Sequence, residues 1–263
     1  MTKVLYIYII AVVFSATNVY SQVGGLSNSK VVLPGTATVE PGDFEFEPSF
    51  DVFWSNKAWD QDGNTLEFDK TTRVSGLAYR FTAGFEHNME AGLTVPEDVS
   101  TLSFGFKWLF WKKNDKSFAL QSGVRFESDN REISETEESL NVITNGVVFT
   151  YEPNDKFSFD TDVSFSLYSA DIGSEPANYS GTFDIGAAYF LTNRFQTILE
   201  LNSAWISFEN SVLNSSKSNG TLGIKYNPND GTAIIFGLKQ GLFGTNNDKG
   251  VSFVGAFTFL MGR

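Results

Sequence analysis

From Asp43 to the end of the chain, apolar and polar residues alternate with a period of two, the signature of strands with two unlike faces. Residues 44–54 set Phe44, Phe46, Pro48, Phe50, Val52 and Trp54 against Glu45, Glu47, Ser49, Asp51 and Phe53. In 72–85, Leu77, Tyr79, Phe81, Ala83 and Phe85 oppose Gly76, Ala78, Arg80, Thr82 and Gly84. The same rule gives further strands over 89–96, 101–111, 118–127, 157–167, 179–190, 195–206, 217–226, 232–243 and 250–261. Segment 140–151 is undecided, because both faces carry apolar residues and Asn141 and Asn145 share one of them. Counted in, it brings the total to twelve strands.

The connections between strands alternate in length as well. Tight ones fall at 86–88, 112–115, 152–156, 191–193 and 227–230, and looser ones at 55–71, 96–100, 128–139, 168–178, 207–216 and 244–249. Short turns on one rim and longer loops on the other are the habit of outer-membrane barrels, whose short turns are periplasmic. An even strand count then puts both ends of the barrel on the periplasmic side.

A soluble sandwich or lipocalin-like barrel would also alternate, but it would bury the apolar face and stud the other with Lys and Glu. Here the polar face is mainly Gly, Ser, Thr and Asn with single charges. The apolar face carries aromatic residues near strand ends, as at Trp54, Trp108, Phe110, Trp205 and Tyr226. Lipid-facing girdles around a polar lumen fit this better. The predicted fold is all-β: a transmembrane antiparallel up-and-down barrel of about 12 strands, with short periplasmic turns and longer extracellular loops.

Composition and its shifts along the chain sharpen the picture. The chain has 26 Phe, 23 Gly and no Cys, which favours strands and turns and leaves no disulfide or thiolate metal site. Its formal charge of -12, with basic residues scattered, argues against nucleic acid as a partner. At the start, Lys3, the apolar run 4–16 and the small-residue exit at Val19–Tyr20–Ser21 lay out a secretory signal peptide, read as 1–21. Residues 22–42 are rich in Gly, Pro, Ser and Thr and lack a period, so they read as an irregular periplasmic lead-in or a plug. The barrel occupies 43–263.

Three stretches resemble a known family: LPGTATVEPGDFEFEPSF (33–50), LAYRFTAGFEHNMEAGLTVP (77–96) and LSFGFKWLF (102–110). They are similar to outer-membrane proteins of the MetA-pathway of phenol degradation family, with looser matches at 193–202 and at the closing hairpin 236–260. The resemblance implies passage of small, often apolar or aromatic, compounds across the outer membrane, in a manner loosely similar to FadL-type hydrophobic-solute channels.

Candidate chemistry is sparse. His87 is the single histidine and falls in a tight periplasmic turn, which argues against a lipid-modifying barrel enzyme that needs a histidine in the lumen or at the outer rim. Asp160 and Asp162, like Glu45 and Glu47, lie two apart on the inward face, a spacing open to a divalent cation or acid/base work. Cross-strand pairing with inward Arg80, Lys107, Arg125, Lys225 and Lys239 is the plainer account, and no metal or other cofactor is expected. Acidic loop 131–138 reads as a solvated loop at the outer surface.

Candidate lumen-lining residues, chosen by parity, are Glu45, Glu47, Arg80, Glu90, Lys107, Arg125, Asp160, Asp162, Asp184, Glu200, Lys225 and Lys239. The function expected is a channel for small solutes in the outer membrane of a diderm bacterium; a non-conducting structural or adhesive barrel is the alternative. Partners expected are outer-membrane lipid, the barrel-assembly machinery and a small-molecule solute. Gly255, Phe257 and Phe259 stand where an assembly signal would place a glycine and spaced aromatics, although the chain ends Met261–Gly262–Arg263 rather than on an aromatic residue.

Overall fold

Strands with one apolar and one polar face satisfy both most simply by closing on themselves, which also removes the sheet edges. The computed structural model, which describes residues 23–27, 30–127, 140–168 and 177–262, shows this closure. Its strands are β1 (Phe44–Trp59), β2 (Thr65–Phe85), β3 (Met89–Pro96), β4 (Thr101–Lys113), β5 (Lys116–Glu127) and β6 (Leu140–Asn154). Next come β7 (Phe157–Tyr168), β8 (Ala177–Phe190), β9 (Phe195–Phe208), β10 (Ser215–Asn229), β11 (Thr232–Thr245), β12 (Asn247–Asp248) and β13 (Val251–Met261). Each long strand pairs antiparallel with its neighbours in sequence, and β1 pairs with both β2 and β13, so twelve strands form a closed up-and-down barrel. The two-residue β12 is an extra piece paired to the outer end of β1.

The closing seam runs from Phe44 opposite Met261 to Trp54 opposite Val251. Rings stitch it from outside. Phe46 lies 6.4 Å from Phe259 and Phe50 5.7 Å from Phe253, while on its other side Phe46 meets Phe81 of β2 at 5.1 Å. Such pairs contribute about 0.5–1.5 kcal/mol each beyond simple burial. The aromatic face of the last strand therefore locks the chain's two ends together.

The outer face of the barrel is apolar all round. Phe104, Phe106, Val163, Phe165, Phe183, Leu199, Leu222, Leu238 and Phe253 are all exposed there. Contiguous apolar surface of this extent would aggregate in water and is stable only against lipid. Leu222, two-thirds exposed in the middle of β10, tests this. Leu222→Arg is expected to cost about 2–4 kcal/mol in reversible unfolding from lipid vesicles, the range for a cation near the bilayer midplane. A loss near zero would place this face in water.

Two expectations are corrected. Segment 55–71 is not a loose loop: β1 continues past a bulge between Ser55 and Lys57 to Trp59, and β2 begins at Thr65. Only 60–64 turns, with Gly63 at φ 80 and the Asp60 carboxylate accepting from the backbone N–H groups of Asp62 and Asn64. Most of this hairpin extension is wet on both faces, so its polar alternation carries no hydrophobic signal. Likewise, 244–249 contains β12 rather than plain loop. Beyond β3, Val99 turns the chain at φ 54, and the Ser100 hydroxyl and N–H, donating to Asp98, hold that carboxyl below its ordinary range.

The undecided strand β6 resolves cleanly. Val142, Thr144, Val148 and Thr150 are buried inward, while Ile143 and Val147 face out. Asn145 is also outside, where it accepts a 2.9 Å hydrogen bond from the Ser122 hydroxyl of β5. A satisfied amide on the lipid side and valines on the lumen side are what blurred the pattern. The proposed signal peptide 1–21 and the acidic loop 131–138 lie outside the described residues.

Candidate functional site: the lumen and the segment inside it

All twelve parity-selected residues sit on the inward face. Two groups pair across strands. Arg80 on β2 contacts both Glu45 (2.7 Å) and Glu47 (2.9 Å) of β1, and Glu47 also accepts from the Thr258 hydroxyl. Glu90 of β3 and Lys107 of β4 face each other in register and form a fully buried pair at 3.0 Å. Asp162 accepts from the Gln121 amide (2.7 Å) and the Ser164 hydroxyl. Arg125, Asp184, Lys225 and Lys239 line the same wall and have partners of their own.

Asp160 departs from the cross-strand scheme. The Thr150 hydroxyl donates to it across the ladder, but its ionic partner is Lys30, from the region between the leader and the first strand. That region does not hang below the barrel; it lies within it. Leu26, Lys30 and Leu33 are buried, although they belong to no strand.

Residues 23–27 and 30–42 touch most of the wall. The Gly25 N–H donates to Thr94, and its carbonyl accepts from the Thr82 hydroxyl. Glu90 accepts from the Ser27 N–H and hydroxyl with one limb of the segment, and from the Val39 N–H with the other. Its partner Lys107 donates to the Ser27 carbonyl at 3.2 Å and the Gly35 carbonyl at 3.1 Å. The Glu90–Lys107 pair thus clamps two stretches of the segment at once.

On the far wall, Glu200 accepts from the backbone N–H groups of Val32 (3.2 Å) and Leu33 (3.3 Å). Thr36 bonds to Thr150 through its N–H and to Ser117 through its hydroxyl. At the periplasmic end the segment leaves along Gly84, bridging through Pro41 and Gly42. An irregular chain has backbone groups that no ladder satisfies, and burial without partners would cost about 1–3 kcal/mol apiece. The charged lumen supplies several of those partners.

Inward glycines make the room. A methyl group at Gly84, Gly92 or Gly105 would strike the backbone of Glu40, Gly25 or Gly24. At Gly186 it would lie 2.8 Å from Leu33, and at Gly237 2.8 Å from Val31. These positions are small because a second chain segment passes there. Sequence reading placed glycines on the polar face but took them as generic lumen, and so missed that they trace a seat.

Towards the outer rim the lumen turns apolar. Trp59 is buried against Gly241 and Gly244, with the Lys249 ammonium 5.6 Å from its ring. Lys217 sits 5.1 Å from the Phe53 ring, and Ile206 and Phe208 pack with Tyr168 and Leu213. His87, exposed in its turn at φ 65, is remote from all of this in the periplasmic rim. Among the described residues no three His, Asp or Glu side chains are grouped to hold a metal ion.

No protein-family model matches the chain, and no curated protein matches it in sequence. Solved structures do share its architecture. The COG4313 outer membrane channel from Pseudomonas putida F1 superposes with a TM-score of 0.70 at 12% identity, covering 86% of this chain and 98% of that one. A TodX deltaS2S3 mutant monoaromatic hydrocarbon channel gives 0.50 at 10% identity, over 87% and 93%. The NanC porin gives 0.52 at 8% identity, over 80% and 98%. The fold expected from the family resemblance, an outer-membrane barrel like those of hydrophobic-solute channels, is the fold these proteins share.

Proposed function

We propose that this chain is an outer-membrane channel for small solutes, hydrophobic and aromatic compounds among them, that rests with its own N-terminal segment seated in the lumen. One observation carries the reading: a closed barrel with a lipid-type exterior holds residues 23–27 and 30–42 through many hydrogen bonds to the wall, beside the buried side chains of Leu26, Leu33 and Val39. A hydrogen-bonded filling can exchange its partners for water or solute, whereas a close-packed apolar core cannot. The aromatic and aliphatic outer lumen, with Trp59, Phe53 and Phe208, suits capture of apolar solutes. The shared architecture with a monoaromatic hydrocarbon channel supports the same class.

In this reading the chain reaches the outer membrane of a diderm bacterium by signal peptide 1–21 and is inserted by the barrel-assembly machinery. The charged lumenal residues tune which solutes pass. Permeation of a panel of aromatic, aliphatic and sugar solutes into proteoliposomes tests it. Solute-selective permeation above protein-free liposomes is expected. Equal permeability for every solute, with and without the N-terminal segment, would instead favour a structural barrel.

A further inference from the structure

The seat of Lys30 is more specific than a place to hold a plug. Three strands build it in register: Asp160 on β7 lies opposite Gly186 on β8, which lies opposite Glu200 on β9. The aliphatic stem of Lys30 crosses the row at its glycine, since a Cβ on Gly186 would sit 3.1 Å from Lys30 Cδ and 3.2 Å from Glu200 Cγ. The ammonium reaches Asp160 and, at 3.1 Å, the Ser158 hydroxyl. One row further out, Asp162 and Asp184 are direct cross-strand partners, so the acidic character of this wall continues past the slot.

Two observations point beyond Lys30 itself. Glu200 is almost completely buried, and its Oε2 has no hydrogen-bond partner among the described residues, although Oε1 takes two. An acceptor of this kind is costly to leave unmet. In addition, a cavity of about 460 Å³ opens at the periplasmic rim, and its lining runs from the carboxylates of Asp115, Glu152 and Asp155 past Phe157 and Phe190 to Ser158, the residue that takes the ammonium. Ser158 therefore belongs both to the lining of an acidic cavity and to the slot that ends at Asp160.

We propose that the slot formed by Asp160, Ser158, Gly186 and Glu200 is a binding site for solutes bearing a primary alkylammonium group, occupied at rest by the Lys30 side chain. It rests on the channel reading and names a class of solute that such a channel would pass: binding and displacement of the N-terminal segment are one exchange, ammonium for ammonium. A carboxylate of the same chain length meets only like charge here, and a neutral alcohol lacks the charge-assisted bond.

The test uses purified full-chain protein and n-butylammonium chloride, with n-butanol and sodium butyrate as controls. Lys30→Ala empties the slot, so calorimetry should show n-butylammonium binding at least about tenfold more tightly than to the unaltered protein, the worth of one charge-assisted bond. Asp160→Asn in the Lys30→Ala background should remove that gain. No binding to Lys30→Ala, equal binding of butanol, or a gain that survives Asp160→Asn overturns the proposal.

A second measurement needs no variant. In the unaltered protein, n-butylammonium chloride should raise proteolysis within residues 23–42 above the level in sodium chloride of equal concentration. Equal cleavage rates would count against the site. Both readouts are of binding and not of transport, so a barrel that fails to conduct and a slot that fails to bind are separate results.

Discussion

A chain lacking residues 23–42 is expected to conduct in planar bilayers where the intact chain rests closed, with single-channel current about tenfold or more above it, since a twelve-stranded barrel lies between the side-chain-filled eight-stranded case and the open porins. The barrel itself should survive. Its closure depends on the β1–β13 pairing and on aromatic contacts across the seam, none of which involves the deleted residues. Glu90 keeps Lys107 and Asp160 keeps the Thr150 hydroxyl, and the contacts that these two and Glu200 lose to the segment are replaced by hydration in a lumen that water now fills. A heat-dependent shift in gel mobility reports the folded barrel, and conductance reports the path. A folded variant that stays as closed as the intact chain would place the block in the outer lumen, at Trp59 and Phe208, instead of in the N-terminal segment.

What the sequence revealed and what it hid divide along a physical line. The inward placement of Glu45, Arg80, Glu90 and Lys107 was legible because lipid imposes a strict period of two on the opposite face. Their pairing followed from register, since opposite charges on consecutive strands meet across one ladder. For residues 22–42 the sequence left two readings open, a periplasmic lead-in and a plug, and nothing in it chose between them. An irregular segment has no period, and the contacts that seat it are backbone groups meeting side chains more than fifty residues away. Lys30, the one basic residue in that stretch, carries no sign in the sequence of its partner Asp160, which lies 130 residues away.

A trace of the segment was nonetheless present in the inward glycines. Gly84, Gly92, Gly105, Gly186 and Gly237 are spread over five strands, and in a simple wet lumen there is no reason for positions this small. Glycine weakens a strand unless another backbone or a ligand approaches closely. Taken with an aperiodic segment of the right length and a single lysine, they pointed to an occupant. Without that inference the cation that pairs with Asp160 was sought among the basic residues of the wall, whereas it is Lys30 of the segment.

Lys107→Met provides the sharpest single-residue test of how the occupant is held. Lys107 and Glu90 are both fully buried, and removing one member of such a pair costs about 3–5 kcal/mol because the other charge is stranded. Here Glu90 still accepts from Ser27 and Val39, so the strain falls on the clamp while Gly35 and the Ser27 carbonyl lose their donor. The expected result is cleavage of the segment by added protease about 100-fold faster or more, in a barrel whose heat-modifiable mobility is unchanged. Pairing the change with Glu90→Leu separates two explanations. If the ion pair only compensates its own burial, the apolar double variant should return to slow cleavage, as replaced buried pairs often do. If the pair is the seat itself, the double variant stays fast, because Ser27 and Val39 have lost their acceptor as well. The hydrogen bonds from both limbs of the segment to this one pair favour the second outcome.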